Sequence, residues 1–403
     1  MIVWQYMRAP TTTMKINAAI LWEQGTALSV ESTELDGPGP GEVLVELKAA
    51  GVCHSDLHPA RGDWPAKTPL VLGHEGAGIV REVGPSVTNV KVDDHVVLCW
   101  APACGVCAPC LEGRDVLCDR VEKVTFRNKL PSGALRLHAR GQDVAPFLGT
   151  ACFSDFVVVP EAGAIPVPPG IPFDALATIG CAVVTGVGAV TNAGQVPKGS
   201  RVAVIGAGGV GLNVVQGAAI AGCERIIAID LRPKPLEIAR LFGATDAIGA
   251  TSGTTPGATP DAAPESTSAS VPATSPDVAA AVRALTAGRG VDFVFDTVGS
   301  PATLALALAC ARKGGAVVLT GLSRMDAQGS IAMFPFVMQE KRLIGSVYGS
   351  GQPSRDIPRL VSLFQEGRLK LNELVSRTYT LEGVNDALAA LAASDGARGV
   401  IRW

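Results

Sequence analysis

The chain lacks an excess of charge of either sign. Its 403 residues carry 34 lysines and arginines against 37 aspartates and glutamates, a formal net charge of −3. That balance gives no footing for nucleic acid or an anionic membrane surface as a partner. Charged residues make up only 18% of the chain, yet no uninterrupted apolar stretch reads as long enough to cross a bilayer. The N-terminus also lacks the charged, apolar and small-residue succession of a secretory signal. Ten cysteines without such a signal read as metal ligands and reduced thiols rather than disulfides, which predicts a cytoplasmic protein. A hydrophobic content of 47% over this length describes a globular chain of two or three domains, each able to bury its own core.

What is present is concentrated in three places. The first is the run Cys104, Cys107, Cys110 and Cys118. Three thiols at intervals of three, with a fourth eight positions on, suit tetrahedral capture of one zinc ion by four thiolates. Gly105, Pro109 and Gly113 between them are turn formers that wrap a backbone around a metal. Disulfides and unrelated core cysteines are the competing readings, and the structural zinc lobe, at about 99–120, is preferred.

The second is the segment from Arg201 to Asp230. The β-rich run 201–205 leads into Gly206-Ala-Gly-Gly-Val-Gly211, an alanine-rich helical stretch follows from Leu212 to about Ala221, and a second apolar strand ends at Asp230. This is the order of a dinucleotide-binding βαβ unit. Gly206 permits the tight turn, Gly208 admits a pyrophosphate and Gly211 allows close packing; Gly209 and Val210 complete the cofactor-binding run, and the N-terminus of the following helix faces the phosphates. Asp230 would accept the ribose hydroxyls and repel a 2′-phosphate, favouring NAD over NADP. Arg232, two residues on, is the one feature that points the other way.

The third is the pair of stretches Gly51-Val-Cys-His-Ser-Asp-Leu-His58 and Gly73-His-Glu-Gly-Ala-Gly78. Cys53 and His74 are ligand types that zinc accepts. Asp56 is suited to orient a ligating imidazole through its second nitrogen. Alone these residues are suggestive only.

Together with Gly180-Cys-Ala-Val-Val-Thr-Gly186, these motifs resemble the zinc-dependent medium-chain alcohol dehydrogenases, from Met14 to Trp403. The resemblance implies an α/β protein in which a mainly-β GroES-like catalytic domain, residues 1–182 and 348–403, is interrupted by a Rossmann cofactor domain, 183–347, with a doubly wound parallel sheet. Strand candidates at 291–296 and 316–320 fit that sheet, and substrate is expected between the domains. The resemblance also implies two zinc ions per chain, with Cys53, His74 and Cys181 holding the catalytic one; Cys181 is supplied by the resemblance and not by spacing. Glu75 is expected beside that metal. An alcohol bound to it would be acidified, and its hydride would pass to NAD in a reversible oxidation to aldehyde or ketone. Ser55 and His58 are the implied proton relay, and both side chains are chemically able to serve. His54 and Arg398 match positions that contact the cofactor pyrophosphate.

The length of the 119–148 span resembles the long-chain branch of class III-like formaldehyde dehydrogenases and their actinobacterial relatives. Glutathione-using members place an arginine four residues after the last lobe cysteine, where this chain has Glu122. Ordinary alcohols are therefore preferred over a thiol adduct, although Arg120 and Arg127 keep the latter as the alternative. A zinc-stabilised, NAD-binding protein without activity is the non-enzyme alternative. The composition of 251–276, almost wholly Thr, Ser, Ala, Pro, Gly and acid, predicts a mobile insertion. Residues 1–13 read as an extension before the first strand. The run 345–348 falls where the family pairs its cofactor domains, so a homodimer or homotetramer is expected, with a small-molecule alcohol or aldehyde as the other partner.

Overall fold

The structure is a computed structural model that describes residues 13–250, 276–393 and 397–403. The expected extension before the first strand and the expected insertion at 251–276 lie outside those residues, apart from Thr13 and Pro276, which open a strand and a helix. The chain divides into two compact units: Met1–Cys181 with Gln352–Ser362 and Leu371–Trp403, and Ala182–Gly351 with Leu363–Lys370. The chain returns to the first unit at Gln352 rather than at 348. The stretch Leu363–Lys370 belongs to the second unit, which the sequence reading did not foresee.

The first unit is mainly β. Strands Thr13–Leu21, Ser29–Asp36, Leu137–Ala139, Gln142–Pro146 and Leu70–Val71 close into a barrel. A seven-stranded sheet is organised around Glu42–Val52, which pairs antiparallel with Glu75–Val83, Phe156–Pro160 and Arg398–Arg402. The alternating Val43, Val45 and Leu47 of that strand are fully buried, as are Leu70, Leu72 and Phe153 around them. Register then brings chemistry together. Gly51 lies opposite Glu75, and Val52 lies opposite Gly399, next to Arg398. A Cβ on Gly51 would sit 2.1 Å from Glu75 Oε2, so only glycine leaves room for that carboxylate.

The second unit carries six parallel strands, in the order Asp246–Gly249, Arg225–Asp230, Arg201–Ile205, Val291–Asp296, Ala311–Leu319, Arg342–Gly345. In chain order this is third, second, first, fourth, fifth, sixth. The direction of winding reverses between Arg201–Ile205 and Val291–Asp296, the crevice where such sheets bind ligands. The strands are short Val/Ile runs because both faces are covered; Ala203, Ile227, Val294 and Val317 form the core with Val282 and Ala307 of the covering helices. The first helix after the glycines starts at Gly209 and ends at Ile220, three residues earlier than expected. At one end of the sheet, Arg342–Gly345 has a single strand neighbour among the described residues, and the helix Met333–Met338 before it buries none of its side chains.

The expectation that no segment is apolar over a spanning length is corrected. Phe173–Ala193 is helical over 21 residues and apolar enough, but 89% of its apolar window is buried inside the protein. Interior packing accounts for that composition.

The packing around the glycine turn yields a direct test. A Cβ on Gly211 would lie 1.8 Å from the Gly206 carbonyl oxygen, a contact with backbone that cannot swing aside. Gly211→Ala should lower stability by about 1–3 kcal/mol through overpacking. An unchanged melting temperature would contradict this packing.

Candidate functional site

The buried site in the first unit is built on one carboxylate. Asp56, fully buried in the first turn of the helix His54–Arg61, accepts from the backbone N–H of Cys53 at 3.0 Å and of Gly73 at 3.1 Å. The same side chain lies 2.9 Å from His74 Nδ1. A carboxylate facing Nδ1 fixes that nitrogen as the N–H donor and leaves Nε2 as a lone-pair donor. His74 Nε2 is buried and has no hydrogen-bond partner. It converges with Cys53 Sγ, Cys181 Sγ and a Glu75 oxygen, all within 4.8 Å of one another. Cys181 enters on a π-helical turn, Ile179–Val183, a distortion that recurs where helices present functional groups. Contact with Cys181 draws the Cys53 thiol well below its ordinary pKa, and the same contact raises Cys181. An orphaned imidazole nitrogen facing two sulfurs fits a zinc ion, since such buried polar atoms are otherwise partnered.

Glu75 and Arg398 complete the inner surface. Burial pushes the Glu75 carboxyl up to about 8, against the Arg398 guanidinium that favours the charged form. Arg398 Nη2 pairs with Glu75 Oε1, and Nη1 donates to the Val52 carbonyl at 3.0 Å. Glu75 Oε2 and Arg398 Nε have no hydrogen-bond partner. The arginine, 3% exposed, is therefore directed first at Glu75, a role that its sequence position at the start of the C-terminal strand did not reveal.

On the same helix Ser55 is half-buried and His54 exposed. His58 stacks on Trp64 with ring centroids 4.4 Å apart, and its Nδ1 is 3.5 Å from Asp63. Sequence reasoning missed Phe147, whose ring meets His74 edge-on at 5.8 Å; it lies in no motif and at no diagnostic spacing. His95 packs on Phe173, and His138 sits between Asp36 and Asp143, away from the buried cluster.

The four lobe cysteines also converge. Their sulfurs lie within 4.8 Å of one another, with Cys107 to Cys110 at 3.4 Å and Cys104 to Cys110 at 4.0 Å. A tetrahedron with metal–sulfur bonds of about 2.3 Å has edges of about 3.8 Å, so the set fits zinc. Backbone N–H groups of Val106 and Cys107 hold the Cys104 thiol down at about 6, while burial pushes Cys110 up to about 12. All ten cysteines are free thiols.

In the second unit the turn Gly206–Gly208 leads into a helix whose first turn has no side-chain cap. A Cβ on Gly208 would meet nothing within 4 Å, so the turn faces open space. Asp230 accepts from Ala207 N at 2.8 Å and from Arg232 N at 3.0 Å. Each of its oxygens keeps a lone pair for a further donor.

A sulfur- and imidazole-lined metal site in one unit and a dinucleotide turn in the other define a metal-dependent dehydrogenase. Comparison with known proteins makes the class specific. Residues 39–169 match the model of the alcohol dehydrogenase GroES-like domain, and residues 209–366 match that of the zinc-binding dehydrogenases. The putative alcohol dehydrogenase D of Mycobacterium tuberculosis is 38% identical, over 96% of this chain and all of the relative. The NDMA-dependent alcohol dehydrogenase of Amycolatopsis methanolica is 37% identical, over 96% of this chain and 99% of its own. A solved alcohol dehydrogenase zinc-binding domain protein from Burkholderia ambifaria has a TM-score of 0.86 at 33% identity, covering 97% of this chain and 99% of that one. The chain belongs to the zinc-dependent medium-chain alcohol dehydrogenase family and is an oxidoreductase that acts on alcohols.

The Asp56 geometry predicts a separable metal effect. Asp56→Asn sets an amide N–H2 against N–H donors and loses the fixed imidazole, so metal affinity at Cys53, His74 and Cys181 should fall about 10- to 100-fold. Chelator competition, with the lobe zinc as internal standard, should show one zinc leaving early. Two zincs retained with unchanged affinity would contradict the assignment.

Proposed function

We propose that the protein interconverts primary or secondary alcohols and their aldehydes or ketones with NAD as hydride acceptor. The single observation that carries the reading is the unpartnered His74 Nε2 among the Cys53 and Cys181 sulfurs. Zinc held by those three residues would supply a Lewis acid for the substrate hydroxyl, and NAD would supply the hydride acceptor. The chain's own residues do the rest. Asp56 keeps the imidazole in the ligating tautomer. Ser55, two residues after Cys53 on the helix His54–Arg61, takes up the hydroxyl proton, and His58, steadied by Trp64, hands it to solvent. Glu75, poised by Arg398, lies within reach of the metal. The open Gly208 turn and the uncapped helix after it receive the pyrophosphate, and Asp230 receives the ribose.

Asp230 favours NAD because a carboxylate already holding two backbone N–H groups is fixed in place to repel a 2′-phosphate. The free thiols support a reducing compartment, the cytoplasm, as its location. The one-neighbour strand Arg342–Gly345 and the exposed Met333, Phe334, Val337 and Met338 support assembly into at least a dimer, since such edges are covered in stable proteins.

A panel of alcohols and aldehydes, followed by nicotinamide absorbance with NAD and NADP and with and without added thiols, tests this reading. NAD-linked oxidation without thiol is expected, and Asp230→Ala should weaken NAD and relax discrimination against NADP. Activity only with an added thiol would instead favour the adduct-oxidising alternative. Equal use of both cofactors by the unmodified protein would contradict the role of Asp230.

For assembly, light scattering at micromolar protein should give a dimer or larger, and a charged substitution such as Phe334→Glu should reduce it. A monomer before substitution would refute the interface.

A further inference from the structure

The segment that carries Phe147 adopts backbone that its residues disfavour. φ is 50° at Leu148 and 51° at Ala151, with Gly149 at 69° between them. In a leucine or alanine this conformation crowds Cβ against the following carbonyl, so it persists only where the surroundings fix it. Besides the bonds within the segment from Thr150 and Ala151 to the Phe147 carbonyl, three contacts with other segments do so. Thr150 Oγ1 donates to the Gly73 carbonyl at 3.1 Å, and the Cys152 N–H donates to the same oxygen at 2.9 Å. These two tie the far end of the segment to the residue before His74. The third ties the near end elsewhere: the Leu148 N–H donates to Asn128 Oδ1 at 3.0 Å.

Asn128 ends an arm that starts at the fourth lobe cysteine. Cys118 caps the helix Asp119–Lys123, a further turn covers Thr125–Arg127, and Asn128 closes it with φ 55° and ψ 50°. Two properties are needed at this one position. The residue must tolerate left-handed backbone, and its side chain must offer an acceptor to Leu148. Asparagine has both. Between this contact and those on Gly73 stands the edge-on pair of Phe147 and His74, so the placement of the ring depends on both anchors.

We propose that Asn128 is a positioning residue of the alcohol site: through the Leu148 amide it holds Phe147 against His74 and so sets the shape of alcohol admitted beside the imidazole. This rests on the alcohol dehydrogenase reading given above. The aromatic wall is thereby mounted on an arm continuous with the cysteine lobe, which joins the lobe's integrity to substrate selection. Glycine at 128 would keep the backbone and lose the acceptor, aspartate would keep both, and alanine would lose both.

The test compares Asn128→Gly, Asn128→Ala and Asn128→Asp with the unmodified enzyme on the two alcohols that it separates most, drawn from ethanol, branched alcohols and benzyl alcohol. The Gly and Ala variants should move the kcat/KM ratio toward one by roughly 10-fold, the scale on which single apolar pocket contacts discriminate. Asn128→Asp should keep it. Replacing zinc with cobalt supplies a second readout, because the absorption bands of the Cys53–His74–Cys181 cluster should shift in Asn128→Gly and not in Asn128→Asp. Unchanged ratio and bands in Asn128→Gly, or equal changes in Asn128→Asp, would overturn the proposal. Should the Gly and Ala variants fail to fold, Phe147→Leu must give the same change in ratio, and an unaltered ratio there overturns it too. An unmodified protein that oxidises no alcohol would fail the functional reading instead, and the cobalt bands would then decide the role of Asn128.

Discussion

The Asp56 carboxylate is the constraint on which the first unit's chemistry depends. A fully buried charge is tolerated only when its lone pairs are taken up by donors. Here the donors are the Cys53 amide, the Gly73 amide and His74 Nδ1. Satisfying one side chain therefore fixes where the helix after Cys53 begins, where the strand containing Glu75 starts, and which imidazole nitrogen faces inward. Cys53 and His74, two candidate metal ligands from separate elements, are oriented by one carboxylate. Thr150 and Cys152 add a second hold on Gly73.

Around that node the sheet register supplies the remaining parts. The central strand Glu42–Val52 brings Glu75 in on one side and Arg398 on the other, and the empty α-carbon face of Gly51 makes their ion pair possible. In the second unit the logic is the same but the group to be served is a phosphate. Gly206 and Gly211 meet backbone to backbone, and Asp230 is held by two amides at the carboxyl end of its strand. Neither site draws its geometry from intrinsic propensity; both come from close approach that side chains would block.

The parts legible in sequence were those with local spacing. Four cysteines within fifteen residues and a strand–glycine–helix–strand succession are read directly, because each closes on itself over a short stretch. Cys181 is not of that kind: it reaches the cluster on a π-helical turn more than a hundred residues after His74, and only the family resemblance named it. Phe147 and Asn128 carry no motif, because their roles depend on strained loop backbone and one hydrogen bond between loops. The apolar helix Phe173–Ala193 was missed as a spanning-length run because its alanines, glycines and threonines are interior packing rather than a uniform apolar stretch. The guanidinium of Arg398 was legible as a cofactor contact by resemblance, but its pairing with Glu75 followed only from strand register.

The two convergent ligand sets call for two distinct zinc sites, one of them at Cys53, His74 and Cys181. Zinc per chain, measured by atomic spectroscopy on the purified protein and on Cys53→Ala, tests this assignment most directly. The unmodified chain should hold two zincs and the variant one, with the fold and the lobe zinc retained. One zinc in the unmodified protein, or two in Cys53→Ala, would contradict it.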